Sequence, residues 1–274
     1  MRDSTPRQMG VRRFGRVNWL GLGMLGLRET RRFMAVWQQT VLAPLMMAGL
    51  FLTVFALAFG PGAQSGGRAD IMGLPYLAFL APGILMMSVI QNAFANTSSS
   101  IVIAKVQGNI VDTLMPPLSA GELVAGYLAG SVARALMVAV LIGAAMTLVL
   151  GTLPAHPLWA LGFVVMGAVM MGGLGILAGI WANKFDQMAT ITNFVITPLS
   201  FLSGTFYSVE VLSSPFRAAT HWNPIFYLID GARYGFAGAS DASPWQGLVV
   251  CSGVTALVLI SCWRLFDSGT RMKP

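Results

Sequence analysis

Six long apolar runs constrain this chain more than any other feature. They lie at roughly 41–60, 75–94, 121–150, 158–181, 190–209 and 245–265. A helix needs about 20 apolar residues to cross the hydrocarbon core of a bilayer, and each run is that long. Four hold no Asp, Glu, Lys or Arg. The third holds Glu122 near its start and Arg134 well inside, and the sixth meets Arg264 at its end. The 274 residues are only 10% charged, against about 25% in a soluble domain. So little charge cannot coat a water-facing surface. The composition excludes an ordinary soluble enzyme and predicts an all-α membrane protein with six transmembrane helices.

The net charge of +7 is lopsided, since Arg2, Arg7, Arg12, Arg13, Arg16, Arg28, Arg31 and Arg32 crowd the first 32 residues. A basic head can bind nucleic acid, but this one precedes apolar spans, and the excess of basic residues on cytoplasmic loops explains it. No nucleic-acid partner is expected. With the N-terminus inside and six spans, both termini are cytoplasmic. The inner segments then hold thirteen basic residues: those eight with Lys105, Lys184, Arg264, Arg271 and Lys273. The outer segments hold three, Arg68, Arg217 and Arg233. Residues 1–17 read as a basic cytoplasmic tail rather than a signal peptide, because no short apolar core with a small-residue cleavage site precedes Val41. The division expected is a tail at 1–17, an interfacial helix at 18–37, a six-span domain at 38–267 and a cytoplasmic tail at 268–274.

Three connecting stretches carry their own patterns. At about 100° per residue, Arg28, Arg31 and Arg32 share one face of 18–37, with Trp19, Leu22, Phe33 and Trp37 opposite. That predicts a helix lying at the membrane surface with its arginines toward the headgroups; the alternative is an extension of the first span. Between the second and third runs, a polar stretch at 95–100 precedes the periodic residues Ile101, Val102, Lys105, Asn109, Asp112 and Thr113. The pattern predicts a short cytoplasmic helix over 101–117, stopped at Pro116 and Pro117. The segment 210–244 is rich in aromatics but broken by Gly and Pro. It is too polar to span and reads as an outer re-entrant region of half-inserted helices.

Catalytic constellations are missing. His156 and His221 have no cluster of Cys, Asp or Glu at ligand spacing, so no metal site is expected. Cys251 and Cys262 lie eleven residues apart in one apolar run. On a helix that is about 16 Å, too far for a disulfide. A phosphate-binding P-loop needs glycine directly before its lysine. The three lysines here follow Ala104, Asn183 and Met272, so any ATP used must be hydrolysed by a partner. Arg134 inside the third run reads as a pathway or gating residue, or else as a snorkelling or structurally paired charge near Gln91 and Asn92. A membrane-embedded lipid-modifying enzyme would need clustered acids or histidines, and an ion-coupled carrier would need charges in several spans. Both remain as alternatives.

The run Asn223-Pro224-Ile225-Phe226-Tyr227-Leu228-Ile229-Asp230-Gly231-Ala232-Arg233-Tyr234-Gly235-Phe236 resembles the C-terminal signature of type-2 ABC exporter permeases, with Pro224, Ile225, Tyr227 and Arg233 filling its positions. Ala81-Pro82-Gly83-Ile84-Leu85-Met86-Met87 is similar to that family's second span. Ala104 to Leu114, followed by Pro116-Pro117-Leu118-Ser119, resembles its cytoplasmic coupling region. Many members carry Glu-Arg then Gly-Thr there; this chain does not, which suggests the subgroup of small bacterial inner-membrane permeases. The resemblance covers about Leu27 to Gly238. It implies two permease subunits, as a homodimer in the bilayer, on two separate ATPases that hold ATP and Mg; this chain binds no cofactor itself. It further implies ATPase coupling through Lys105, Gln107, Asn109, Asp112, Thr113, Pro116 and Pro117 and through the interfacial helix with Arg28, Arg31 and Arg32. Asn223, Pro224, Tyr227, Asp230 and Arg233 would form an outer gate. The substrate implied is an amphiphile, lipid-like or saccharide, exported across the inner membrane.

Overall fold

The computed structural model describes residues 17–59 and 71–269. The expected N-terminal tail up to residue 16, most of the first outer loop and the last five residues lie outside them. Apart from turns and one isolated bridge between Ile71 and Leu74, the described residues are helical. The elements are α1 (Trp19–Ala35), α2 (Ala43–Phe59, led in by a π-helical turn at Gln38–Leu42), α3 (Tyr76–Val106), α4 (Ile110–Leu114), α5 (Ala120–Leu150), α6 (Pro157–Trp181), α7 (Phe185–Ile191), α8 (Thr197–Leu202), α9 (Ser214–Trp222), α10 (Pro224–Ala237) and α11 (Pro244–Ser268). Five helices are long and apolar enough to cross a membrane: Gln38–Phe59, Tyr76–Val106, Ala120–Leu150, Pro157–Trp181 and Pro244–Ser268.

The expected fifth span over 190–209 takes another form. The helical stretch starts earlier, at Phe185, passes through a π-helical turn at Thr192–Ile196 and ends at Leu202. Asp186 and Gln187 dilute its apolar character. At about 1.5 Å per residue it is roughly 27 Å long, short of the ~30 Å hydrocarbon core. Gly204, at φ +72°, then turns the chain.

The second span also departs from expectation. Rather than ending near 94, α3 runs unbroken to Val106 and carries the polar stretch inward, with Asn96, Thr97, Ser98 and Ser100 buried. Buried polar groups are tolerated where the bundle answers them. Thr97 Oγ1 donates to the Gly172 carbonyl at 2.7 Å and Ser98 Oγ to the Phe94 carbonyl at 2.8 Å. The coupling helix expected over 101–117 is therefore split. Its first six residues belong to α3, Gly108 turns at φ +72°, and only Ile110–Leu114 forms a separate helix.

α3 is the axis of the bundle and packs on α6, α5 and α10. Glycines on α6 let it approach closely, as small residues do between membrane helices. A Cβ on Gly175 would collide with Thr97 Oγ1 and the Phe94 carbonyl. α5 starts with a capping box, Ser119 with Glu122, which satisfies two otherwise orphaned amides. α2, in contrast, buries only Ala48.

α1 lies on α5. Its buried stripe is Leu25, Glu29 and Phe33, spaced four apart, with Leu25 over Gly126 and Glu29 over Gly130. This corrects the expected arginine face. Trp19 and Trp37 are exposed, and Arg28 and Arg32 turn into the protein around Glu29. Arg31 is exposed and makes no hydrogen bond among the described residues.

Candidate functional site

α1 and the α4 region meet at one end of the bundle. Asn18 caps α1 by accepting from the Gly21 amide at 2.9 Å. Its own amide donates to Glu122 Oε1 at 2.5 Å, and its side chain donates to the Pro117 carbonyl at 3.3 Å. Arg28 Nη1 donates to the buried Thr113 Oγ1 at 2.8 Å. Between these ties lies an open groove of about 490 Å³, walled by Leu20, Met24, Leu27 and Leu118, with Arg28, Arg31, Asp112 and Pro116 offering the polar and rigid parts. Gln107, Asn109, Met115 and Pro117 are exposed beside it. Lys105 points elsewhere. Its Nζ donates to the carbonyls of Ile180 and Ala182, both at 2.8 Å, and so caps the C-terminus of α6, where a cation suits the helix dipole.

A polar seam leaves this groove and enters the bundle. Glu29 is fully buried. It accepts from Arg28 Nη2 at 3.0 Å, Arg32 Nε at 3.1 Å and Ser100 Oγ at 2.8 Å. Arg32 Nη2 reaches the Asn96 carbonyl at 2.6 Å and its side-chain oxygen at 3.2 Å. One turn further, Asn92 Oδ1 accepts both Arg134 Nε at 3.1 Å and Arg134 Nη2 at 2.7 Å. Ser88, Asn92, Asn96 and Ser100 recur every four residues and form one line along α3.

The signature residues gather at the other end. Asn223 accepts from the Ile225 amide at 3.1 Å, starting α10 ahead of Pro224, and donates to the Leu199 carbonyl at 3.0 Å and Ser203 Oγ at 2.7 Å. Asp230 accepts from the amides of Asp241 and Ala242 at 2.8 and 2.9 Å. Arg233, fully buried, lies near Asp230 at 3.4 Å and Asp241 at 3.7 Å. It donates to the Gly204 carbonyl at 2.6 Å and stacks on Phe79 with 4.0 Å to the ring centroid. One guanidinium thus ties α3, the turn after α8, α10 and the loop before α11. Tyr227 is half-buried against His221 and Phe226.

The model of the ABC-2 type transporter family matches residues 21–237. The chain belongs to the ABC-2 type transporter family. It is 36% identical over 264 residues to the inner membrane transport permease YadH of Escherichia coli K12, covering 93% of this chain and 98% of that protein. It is 30% identical over 210 residues to nodulation protein J of Sinorhizobium fredii, covering 74% and 77%. This ABC-2 chain is a transport permease and not an enzyme, and the family implies an ATPase partner.

The groove of this permease unites Arg28, Arg31, Asp112 and Thr113, which sequence reasoning placed in two separate segments. Lys105, near the end of α3, instead caps the C-terminus of α6. Pro117 lies between the groove residues Pro116 and Leu118, and Gln107 and Asn109 are exposed just ahead of α4. Asn223, Pro224, Asp230 and Arg233 form a buried lock at the far end. The residues that sequence reasoning missed are Glu29, Asn96 and Ser100. Their signal was a lone acid among three arginines and a four-residue polar spacing within an apolar run.

Proposed function

We propose that this chain is the membrane-spanning subunit of an ABC exporter in the bacterial inner membrane, with six crossings and both termini cytoplasmic. Two copies pair as a homodimer, and two separate ATPases, holding ATP and Mg, dock on the α1–α4 groove. The stretch 185–202 completes the crossings, and α9 and α10 form an outer re-entrant lid held by Arg233. The cargo is an amphiphile, lipid-like or saccharide. The observation that carries this reading is the groove. It joins an exposed Arg31 and Asp112 to a helix, α1, that is anchored through Glu29 to the central helix of the bundle. A partner that moves the groove therefore moves α1, which bears on α3 through Glu29 and Ser100.

The test is reconstitution with a candidate ATPase. Asp112→Lys or Arg31→Glu should weaken co-purification of the ATPase and uncouple hydrolysis from export, with the permease still inserted and monodisperse. Unchanged co-purification and export with both variants would remove the groove as the docking face.

A further inference from the structure

Among the described residues, Arg134 is a buried cation without a carboxylate. Its hydrogen bonds go to the neutral Asn92, and it is 8% exposed. The nearest acid on the seam, Glu29, is already shared between Arg28 and Arg32. The seam thus carries three guanidinium charges against one carboxylate. Buried charges in a membrane are normally paired, because an unanswered charge in low dielectric is costly. A second unmet donor lies one turn away. Asn96 Nδ2 is buried with no hydrogen-bond partner, since its Oδ1 faces Arg32. It sits 3.3 Å from where a Gly130 Cβ would stand, against the same helix that carries Arg134.

Asn92 also lines a cavity of about 350 Å³ between α2, α3 and α8. Its polar wall is Ser88, Gln91 and Asn92, and its apolar wall includes Met47, Phe51 and Met87. Arg134 does not line this cavity itself but stands behind Asn92, which holds it. One molecule that fills the apolar wall and answers the guanidinium in place of Asn92 has an anionic head and an apolar tail.

We propose that Arg134 and Asn92 form a binding site for the anionic headgroup, phosphate or carboxylate, of an amphiphile whose tail occupies the adjoining cavity. The site rests on the exporter reading, for which it names the cargo class as anionic amphiphiles. Binding draws Asn92 aside as the anion takes its place on the guanidinium.

The test uses the full chain, purified in a neutral detergent without any ATPase, so the outcome is separate from that of the docking experiment. Binding is measured by intrinsic tryptophan fluorescence for lauroyl lysophosphatidic acid, lauroyl lysophosphatidylcholine and inorganic phosphate. The expected result is a preference for the lysophosphatidic acid over the zwitterionic analogue of about ten- to a hundredfold, the range of a charge-assisted hydrogen bond. Inorganic phosphate should bind far more weakly, because it leaves the apolar wall unfilled; equal binding of phosphate would overturn the amphiphile assignment. Arg134→Gln should abolish the preference. Because that variant removes a buried partner, Asn92→Asp supplies a second reading. It gives Arg134 an internal counter-ion, keeps the volume, and should abolish the preference in a well-folded protein. Equal affinity for the two lipids in the unsubstituted protein, or a preference that survives Asn92→Asp, overturns the proposal.

Discussion

Replacing Glu29 with Gln removes one negative charge from the junction of α1 and α3 and leaves its volume intact. The carboxylate accepts three hydrogen bonds, two from guanidinium groups and one from Ser100. Breaking a fully buried ion pair costs about 3–5 kcal/mol, mainly because the stranded partner stays buried. Here the side chains of Arg28 and Arg32 are 46% and 27% exposed, so water re-solvates them and the upper figure does not apply. Glutamine keeps only one acceptor oxygen. At the Oε1 position it still accepts from Arg28 and Ser100, but its amide nitrogen then faces Arg32 Nε, a donor, so that bond is lost. That one charge-assisted bond is worth about 2 kcal/mol, and the Arg28 and Ser100 bonds survive with the amide oxygen as acceptor. Local opening of α1 becomes roughly thirtyfold more frequent. Hydrogen exchange of the purified full chain in neutral detergent reads this directly, since amides between Met24 and Phe33 should exchange about thirtyfold faster while those of α6 hold. Arg31→Gln is the control, because Arg31 makes no such bond, and it should change nothing. Unchanged α1 protection in Glu29→Gln would refute the reasoning, as it would show that α1 is held by its apolar contacts with α5 alone.

Two further outcomes follow from the packing. Gly175→Val forces two methyl groups against the Phe94 carbonyl and Thr97 Oγ1; overpacking of this kind costs about 1–3 kcal/mol, so thermal unfolding should shift several degrees lower. Lys105→Met removes the cap on the α6 carbonyls and should cost about 1 kcal/mol in the same melt, with co-purification of the ATPase unchanged; loss of the ATPase would return Lys105 to the docking face.

The apolar runs announced four membrane-length helices close to their extents in the structure, because lipid demands long uninterrupted hydrophobic stretches and little else produces them. The polar stretch at 95–100 misled for the same reason. Read one residue at a time, Asn-Thr-Ser-Ser-Ser looks like a loop. Inside a bundle, most of these groups find a carbonyl or a partner side chain, as Thr97 finds Gly172. Only tertiary structure supplies those partners. Glu29 was hidden by a similar effect. An acid between Arg28 and Arg32 on an amphipathic helix reads as one more surface charge, and its burial depends on Gly130 of a distant segment making room for it. The signature around Asn223–Phe236 was legible as a motif, but its work was not, since Arg233 acts on Gly204 and Phe79, far away in sequence.

The difference between α3 and α2 has a mechanical consequence. α3 is buried along most of its length, and α5, α6 and α10 grip it. α2 buries only Ala48 and leaves Met46, Met47, Leu50, Val54 and Leu57 exposed. In water such a helix would collapse onto the bundle; in lipid its apolar surface costs nothing, so it stays loosely held. The chain enters α2 through an elbow. α1 ends at Ala35, and Thr40 Oγ1 donates back to the Phe33 carbonyl at 2.9 Å. A π-helical turn at Gln38–Leu42 then leads into α2. π-helical turns mark sites of altered register and often of function. A push on α1 in the groove therefore has two exits. Through Glu29 and Ser100 it meets the stiff axis of α3, and through the elbow it meets α2, the least buried of the five membrane-length helices. Displacement follows the softer path. The cavity lined by Gln39, Met47 and Asn92 lies between those two helices, so its width changes with every movement of α2 against α3.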